Sequence, residues 1–256
     1  MNVAYAASEG IAIHLSAPVL GQIFGIPLTS TMVTTWLTLA LLALFAILWK
    51  SRLRLIPGKV QVTIEMLVGG GFDYMADALE SRELARKFFP LIMTIFIFIL
   101  ALNWIGLLPG VTSVGLYHDV HGIKELVPFL YPANTDLNIT IGLALVAFVA
   151  IEVAGIVFLG LWKYGGKFIN LSSPLAFLIG IIELFSELAR LISFSFRLFG
   201  NIFAGKTLLL IAIFFVPFIL PVPVLAFEMF VGLIQAFIFA VLTLFFIKLA
   251  IQEPQH

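Results

Sequence analysis

Apolar runs long enough to cross a membrane constrain this chain more than any other feature of its sequence. The first run, residues 31–49, contains no charged side chain, and a helix of that length spans roughly 30 Å of hydrocarbon at about 1.5 Å per residue. The rest of the chain is similar, since 62% of the residues are hydrophobic and only 11% are charged, whereas soluble domains are roughly half apolar and a quarter charged. The sequence therefore predicts an all-α, polytopic membrane protein.

Five apolar runs predict membrane-embedded helices: residues 31–49, 88–108, 137–162, 171–215 and 224–251. The fourth run contains no strong helix breaker, and its roughly 45 residues would form a helix about 67 Å long, about twice the thickness of the hydrocarbon core. This helix must tilt steeply, kink at Gly200 or Gly205, or begin well inside the cytoplasm. A turn with Pro217, Pro221 and Pro223 joins it to the fifth run, so the last two helices are predicted to form a long, steeply tilted hairpin.

A further helix is predicted to lie in the membrane interface, at residues 60–80. Its apolar side chains recur at helical spacing while its acidic side chains occupy other faces, which is typical of an interfacial amphipathic helix. Gly69, Gly70 and Gly71 weaken this helix by up to about 1 kcal/mol each relative to alanine. A break at these glycines is therefore an open alternative.

Basic residues predict the orientation of the chain. The first apolar run is followed by a basic cluster, Lys50, Arg52, Arg54 and Lys59. Such clusters stay on the cytoplasmic side of a membrane. Residues 111–136 contain a single basic residue and are predicted to form an outer loop whose fold the sequence does not indicate. Residues 1–29 are interrupted by glycine and proline, which indicates an irregular arm outside the bilayer. We therefore expect the N-terminus outside and the C-terminus in the cytoplasm.

The composition argues against several other kinds of site. The formal net charge is +0 and no nucleic-acid-binding motif is present, so no nucleic-acid partner is predicted. The chain contains no cysteine, which excludes disulfides and thiolate chemistry. His118 and His121 have Asp119 between them but lack further ligands at a recognisable spacing, so solvated loop residues are the better interpretation. We predict neither a metal nor a cofactor.

Charged residues within the fourth run lie at helical spacing. Separations of four, three, four, three and four positions place one set of residues on a single helix face: Glu183, Glu187, Arg190, Phe194, Arg197 and Asn201. Each charge costs about 3 kcal/mol in hydrocarbon, so such residues persist only where they are paired or used. One interpretation is that Arg190 forms a purely structural salt bridge with Glu183 or Glu187. No acid lies three or four positions from Arg197 on its own helix, so its partner must come from elsewhere.

The embedded polar residues together have the composition of a hydrated ion path. Besides that helix face, they are Glu152, Ser186, Ser193, Ser195, Lys206, Glu228 and Gln235. Carboxylates relay protons when their pKa is near the local pH, whereas an arginine stays protonated. Arg197 is therefore predicted to be an electrostatic gate, which repels leaking cations and attracts a carboxylate brought by another subunit. Lys206 and Glu228 are expected to pair across the hairpin as a structural tie, as part of an outer access path, or as both.

Four strings occur in one order along the chain: NWIGLLPG at residues 103–110, TDLNIT at 135–140, SFRLFGNIFAGK at 195–206 and LIQAFIFAVLT at 233–243. Together they resemble subunit a of F-type ATP synthases over nearly the whole chain from the first span onward. The resemblance implies a stator subunit, without a catalytic centre of its own, that offers two offset aqueous half-channels to a rotating ring of c subunits. Protons would enter by one half-channel, ride on a ring carboxylate and leave by the other. It also implies contacts with the peripheral-stalk subunit b, with the remaining ATP synthase subunits and with the lipid of a bacterial plasma membrane.

The resemblance also implies roles for individual residues. Arg197 matches the essential arginine of the family, Asn201 and Gln235 match its polar neighbours facing the ring, and Glu183 with Ser186 match the inner exit channel. Lys206 and Glu228 fall at two positions that form a channel-lining pair in the family. The other residues predicted for the ion path are Asn103, Asp136, Asn138 and Arg190. Leu191 follows Arg190 where many members have proline, so a kink that the family has at this point does not carry over to this chain, whereas the gate does.

Three alternatives stay open at this point. The same subunit would translocate Na⁺ instead of protons if the ring bound Na⁺, because the ring carries the ion. A secondary transporter or channel of another family is disfavoured, since the ionisable residues crowd into one hairpin and the two halves show no repeat. A membrane-embedded enzyme would need a nucleophile with a base or a metal, yet the histidines all lie outside the predicted spans: His14, His118, His121 and His256.

Overall fold

Long apolar helices make up most of the described structure. The computed structural model describes residues 17–23, 25–108, 110–120, 123–168 and 173–252. In chain order its helices are α1 (Ser30–Lys50), α2 (Lys59–Leu79), α3 (Arg82–Ile105), α4 (Leu137–Leu159), α5 (Leu161–Gly166), α6 (Pro174–Phe215) and α7 (Pro221–Ile251). Five of them, all except α2 and α5, are long and apolar enough to cross a membrane. They confirm the prediction of an all-α, polytopic membrane protein.

Parts of the sequence-based predictions lie outside the described residues. These parts are residues 1–16 of the predicted arm with His14, residues 171–172 of the fourth run, and His121 and His256.

The last two long helices begin and end close to the predicted runs. α6 has 42 residues and remains one helix past Gly200 and Gly205. Pro221 and Pro223, which the sequence placed in the turn, occupy the first turn of α7. Proline is tolerated there because the first backbone N–H groups of a helix have no partner within the helix. The steep tilt of the hairpin stays a prediction.

Gly160 ends α4 three residues before the end of the predicted run. Its φ of 84° is in the left-handed region, which glycine adopts without the steric cost that a Cβ would impose. The chain then continues as the short helix α5. The sequence analysis extended the third run through this break because Leu161 and Trp162 are themselves apolar.

The predicted interfacial helix corresponds to α2, which runs unbroken through Gly69, Gly70 and Gly71. The alternative of a break at these glycines is therefore wrong for this structure. Glu80 follows α2 in the left-handed conformation, with φ 54°. Lys248 donates to the Ala78 carbonyl and to Glu80 Oε1, both at 2.8 Å, which is a favourable position for a cation because carbonyl groups are exposed at the end of a helix.

Two β-hairpins occur in segments for which the sequence predicted no strands. β1 (Val19–Ile23) pairs antiparallel with β2 (Ile26–Thr29), and β3 (Gly115–Val120) pairs antiparallel with β4 (Ile123–Pro128). The expectation of an irregular arm is therefore wrong for Val19–Ile23 and Ile26–Thr29. Glycine and proline are tolerated there because both strands of a two-stranded hairpin are edge strands. Gly115 has no room for a side chain, since a Cβ would collide with the Val127 carbonyl.

The chain divides into two compact units. As far as they are described, the first unit comprises Met1–Thr38, Leu100–Thr140 and Phe196–Gln235, and the second unit comprises Leu39–Ile99, Ile141–Ser195 and Ala236–His256.

Hydroxyl groups at the start of α1 are buried in the first unit. Ser30, Thr31, Thr34 and Thr38 are fully buried. Thr34 and Thr38 donate to the carbonyls of Ser30 and Thr34, four positions earlier on the same helix, at 3.0 and 2.7 Å. Ser30 donates instead to the Pro128 carbonyl at the end of β4, at 2.5 Å. The beginning of α1 is thus held against the end of the second hairpin.

Aromatic side chains fill part of the core of the second unit. The ring of Phe194 in α6 stacks on Phe239 in α7 with 4.8 Å between centroids, and meets the edge of Phe246 at 5.7 Å. Phe194 and Phe239 are 2% and 1% exposed. Offset and edge-on ring pairs add about 0.5–1.5 kcal/mol each to the burial of apolar area, so these rings hold α6 and α7 together.

Candidate functional site

The polar row of α6 contains the six residues that the sequence predicts to share a helix face. Side chains three and four positions apart follow one another along a helix face. Glu187 and Phe194 are buried, whereas Glu183, Arg190 and Arg197 are partly buried. Asn201 ends the row and is more exposed.

In the first unit, Asn201 contacts the last helix. Its Nδ2 donates to Oε1 of Gln235 in α7 at 2.6 Å. Gln235 is 2% exposed, and its Nε2 has no hydrogen-bond acceptor among the described residues. Arg197 lies one turn before Asn201 on the same face of α6. The structure therefore brings together two of the side chains that the sequence placed beside Arg197.

Glu228 and Lys206 belong to the same unit but do not pair with each other. Glu228 is 4% exposed, and its carboxylate lies so close to Gly205 that a Cβ there would collide with it. Lys206 Nζ lies 3.4 Å from the centre of the Tyr131 ring, a cation–π contact. Among the described residues neither side chain forms an ion pair, so the expected Lys206–Glu228 tie is absent from this structure. Tyr131 was missed by the sequence analysis, because its position depends on how the outer segment folds back.

Asn103 connects α3 to α7 and to the segment before α4 in the first unit. It is 3% exposed, donates to the Gly232 carbonyl in α7 at 2.9 Å and accepts from Asn134 Nδ2 at 2.7 Å. Gly232 permits this approach, since a Cβ there would lie 3.1 Å from Asn103 Cβ. The neighbouring Trp104 donates to the Met229 carbonyl at 3.1 Å. Gly232 thus allows α3 and α7 to approach closely, as small residues do at helix–helix contacts in membranes.

Asp136 is a structural link in the first unit. Its Oδ1 accepts from the backbone N–H of Asn138 at 2.9 Å, which caps the first turn of α4. Its Oδ2 accepts from the Thr31 hydroxyl at 2.7 Å. Asp136 is 6% exposed, whereas Asn138 is exposed. These two residues were predicted for the ion path, and the contacts of Asp136 connect the first turns of α1 and α4.

In the second unit, Glu187 is the centre of a charged cluster. Arg190 Nη1 lies 2.6 Å from Glu187 Oε2, and Lys167 Nζ lies 3.2 Å from Glu187 Oε1 and 2.5 Å from Glu183 Oε1. The Arg190 guanidinium also lies over the Phe246 ring at 4.0 Å. Of the two salt bridges considered for Arg190, the structure has the one to Glu187. Glu187 is 3% exposed, and two cations beside a buried carboxylate offset its loss of hydration.

Ser186 and Lys167 differ in their relation to this charged cluster. Ser186 precedes Glu187 and is exposed, so it does not join the buried cluster. Lys167 is not among the residues that the sequence predicted for the ion path. Its two carboxylate partners lie 16 and 20 positions later in the chain, beyond the range at which helical spacing predicts a pair.

Glu152 and Tyr164 form a second buried contact in the same unit. The Tyr164 hydroxyl donates to Glu152 Oε2 at 2.9 Å, while Glu152 Oε1 is buried without a partner among the described residues. Tyr164 is 3% exposed, and its ring occupies the space that a side chain at Gly155 would need. Burial, followed by the hydrogen bond to Glu152, raises the pKa of Tyr164 above its ordinary value, so its hydroxyl stays protonated and available as a donor.

The chemistry available to these groups is proton transfer and charge stabilisation. Glu152, Glu183, Glu187 and Glu228 supply carboxylic acids, a kind of group that can take up and release protons, whereas Arg197 supplies a guanidinium, a kind of group that stays charged. Among the described residues no group of three or more histidine, aspartate or glutamate side chains is placed to hold a metal ion.

Comparison with known proteins gives consistent matches. Residues 32–248 match the model of a family described as ATP synthase A chain. A protein of Mycobacterium marinum named ATP synthase subunit a is 35% identical, over 98% of this chain and 97% of the relative. The proteins of the same name from Mycobacterium ulcerans and Geotalea daltonii are 36% and 32% identical, over 89% and 86% of both chains.

Proposed function

Because this chain belongs to the ATP synthase A chain family, we propose that it translocates protons as the stator subunit a of a rotary F-type ATP synthase. Family membership makes it an integral membrane component of the complex that has no catalytic centre for ATP chemistry. The observation that carries the finer proposal is the polar row of α6, in which Arg197 lies one turn from the hydrogen-bonded pair of Asn201 and Gln235.

Arg197 is the electrostatic gate in this proposal. A guanidinium cannot join a proton relay, because its pKa above about 12 keeps it protonated. It repels cations that would otherwise leak along the polar row. It also lowers the pKa of a carboxylate brought next to it by about 1–3 units, so that the carboxylate gives up its proton.

Each unit supplies one of the two half-channels in this proposal. The outer access path uses Glu228, Lys206 and Asn103 of the first unit, with Asp136 and Asn138 at the start of α4. Glu228 is suited to this role because its buried carboxylate has no ion-pair partner among the described residues. The inner exit path uses Glu183, Ser186 and Arg190 of the second unit. Lys167 lies beside Glu183 in this path, and Arg190 lies beside the neighbouring Glu187.

The partners follow from the same proposal. The polar row of α6 faces a ring of c subunits that carries the ion. Subunit b of the peripheral stalk prevents this chain from rotating with the ring. The chain lies in a bacterial plasma membrane, with its N-terminus outside and its C-terminus in the cytoplasm, because the basic cluster of residues 50–59 belongs on the cytoplasmic side.

The test is ATP-driven proton pumping by inverted vesicles that contain the assembled complex. We expect Arg197→Ala to abolish pumping while the complex stays intact, and Arg197→Lys to impair it, because lysine keeps the charge but not the planar fork. The matched control is Arg82→Ala, which removes an exposed arginine whose ion pair with Asp73 is also exposed, and it should pump normally.

Two results would contradict the proposal. Normal coupled pumping by Arg197→Ala would show that the arginine is not the gate, and the charged row of α6 would then be a structural salt-bridge ladder. Pumping that requires Na⁺ and stops in Na⁺-free buffer would assign the Na⁺-translocating form of the same subunit.

A further inference from the structure

A groove with a basic lining lies between the end of α1 and the first turn of α2, in the second unit. Its volume is about 810 Å³. Arg52, Arg54 and Lys59 line it together with apolar side chains that include Trp49 and Ile56. No acidic residue is among the residues that line it. The groove therefore combines positive charge with apolar surface.

Hydrogen bonds to Gln61 fix the backbone on one side of this groove. Gln61 Oε1 accepts from the Arg54 N–H at 3.2 Å, and Gln61 Nε2 donates to the Arg54 carbonyl at 3.0 Å. The same amide group donates to Glu65 at 2.7 Å. The turn is thus held against α2 through the backbone of Arg54, which leaves the guanidinium group of Arg54 uninvolved.

The positive charges of the groove are not neutralised within the described part of the chain. No hydrogen bond or ion pair of the Arg52, Arg54 or Lys59 side chains occurs among the described residues, and all three are exposed. Guanidinium groups present paired donors that match the oxygens of a phosphate. Each basic residue beside a membrane also attracts anionic lipid by about 1 kcal/mol. The groove is therefore complementary in charge to a phosphate group.

Apolar side chains beside these charges are unusually exposed. Leu55 is fully exposed, Ile56 is 87% exposed and Leu53 is 52% exposed. They directly follow α1, a helix long and apolar enough to cross a membrane. Leaving such apolar side chains in water is unfavourable. An occupant with both a phosphate and hydrocarbon chains would satisfy the charges and the apolar surface together.

We propose that this groove binds the headgroup of an anionic phospholipid, with the phosphate at Arg52, Arg54 and Lys59 and the acyl chains along Leu53 and Ile56. The site is independent of ion translocation, because it contains none of the residues of the polar row or of the proposed half-channels. An inorganic phosphate would satisfy only the charges, and an acidic protein segment would leave the exposed leucine and isoleucine uncovered.

The experiment uses the assembled complex in phosphatidylcholine nanodiscs that contain a trace of phosphatidylglycerol with a photoreactive group in its acyl chain. After illumination and digestion, mass spectrometry measures the label on the peptide that spans residues 49–61. We expect labelling that unlabelled phosphatidylglycerol competes away and added phosphatidylcholine does not. Arg52→Gln with Arg54→Gln should lower it about thirtyfold, since two charges are removed. These variants keep the fold of the turn, because Gln61 binds only the backbone of Arg54.

A matched control separates a specific site from general attraction to anionic lipid. Arg82→Gln with Arg86→Gln removes the same number of exposed charges elsewhere in the same unit, and labelling of residues 49–61 should be unchanged. Equal loss in both double variants would overturn the proposal, as would equal competition by phosphatidylcholine or by inorganic phosphate. An unlabelled groove in the assembled complex would show that another subunit covers it and would also overturn the proposal. Proton pumping is measured on the same samples and is expected to persist in both double variants. A failure of the lipid-site proposal is therefore distinguishable from a failure of the translocation proposal, which is tested by Arg197→Ala.

Discussion

Replacing Asn103 by alanine is expected to destabilise the first unit strongly. The substitution removes the donor to the Gly232 carbonyl and the acceptor for Asn134 Nδ2, at 2.9 and 2.7 Å. Asn134 Nδ2 would remain buried without its acceptor, which costs about 1–3 kcal/mol. The Gly232 carbonyl keeps its backbone hydrogen bond within α7, so losing its bond from Asn103 costs only about 1 kcal/mol more. The free energy of unfolding should therefore fall by about 3 kcal/mol. For a chain of this size the melting temperature would fall by about 6–12 °C.

The assay follows the fraction of this chain that remains in the detergent-solubilised complex after heating to successive temperatures. Thr94→Val on the same helix is the control, because the Thr94 hydroxyl is exposed and bonds only to its own helix, at the Pro90 carbonyl. It should shift the midpoint by no more than about 2 °C. Asn134→Ala alone should be destabilising, and the double variant should be more stable than the sum of the two changes predicts, by about 1 kcal/mol. A shift below about 2 °C for Asn103→Ala, or strict additivity with Asn134→Ala, would refute the reasoning.

Three other predictions follow from the second unit. Tyr164→Phe removes the hydrogen bond to Glu152 and should cost about 1–3 kcal/mol, measured as a lower midpoint in the same heating assay. Gly155→Ala should lower the free energy of unfolding by about 1–3 kcal/mol, because the added methyl group collides with the Tyr164 ring. The same substitution made in the Tyr164→Phe variant must have a similar cost, because phenylalanine keeps the ring. The hydrogen bond and the charge of Lys248 hold the pKa of Glu80 below its ordinary value of 4.5. The contact therefore stabilises the end of α2 fully above pH 4.5, and this stabilisation is lost as the pH falls through the lowered pKa of Glu80. Hydrogen exchange of the backbone amides of residues 76–81, corrected for intrinsic rates, should therefore increase at low pH in the parent chain but not in Glu80→Gln. The same pH dependence in both proteins would contradict a stabilising role of the Glu80–Lys248 contact.

Local patterns in the sequence predicted the helices and the polar row of α6 correctly. Each apolar run is long enough for its length alone to indicate a span, and helical spacing determines which side chains of α6 share a face. The pairing of Arg190 with Glu187 was among the expected alternatives because the two residues are three positions apart. These features depend on neighbours in the chain, which is why they are readable without the fold.

Contacts between distant parts of the chain were not predictable in this way. Lys206 lies over Tyr131 instead of pairing with Glu228, because the segment after β4 folds back to α6 within the first unit. Asn134 bonds to Asn103 for the same reason. No spacing rule relates residues that meet through a returning loop, and the two short hairpins carry too few residues for a recognisable alternation. The sequence therefore pointed to the polar residues of the candidate site but not to all of their contacts.

The contact between Thr31 and Asp136 also has a consequence for biogenesis. The two residues are 105 positions apart in the chain. At about 5–20 residues per second of synthesis, Asp136 leaves the ribosome roughly 5–20 s after Thr31. During that interval α1 must stay in or near the insertion machinery with the Thr31 hydroxyl lacking its carboxylate partner, while Thr34 and Thr38 already bond to carbonyls of their own helix. The final packing of α1 is therefore a late event, which is completed only after the start of α4 has been synthesised.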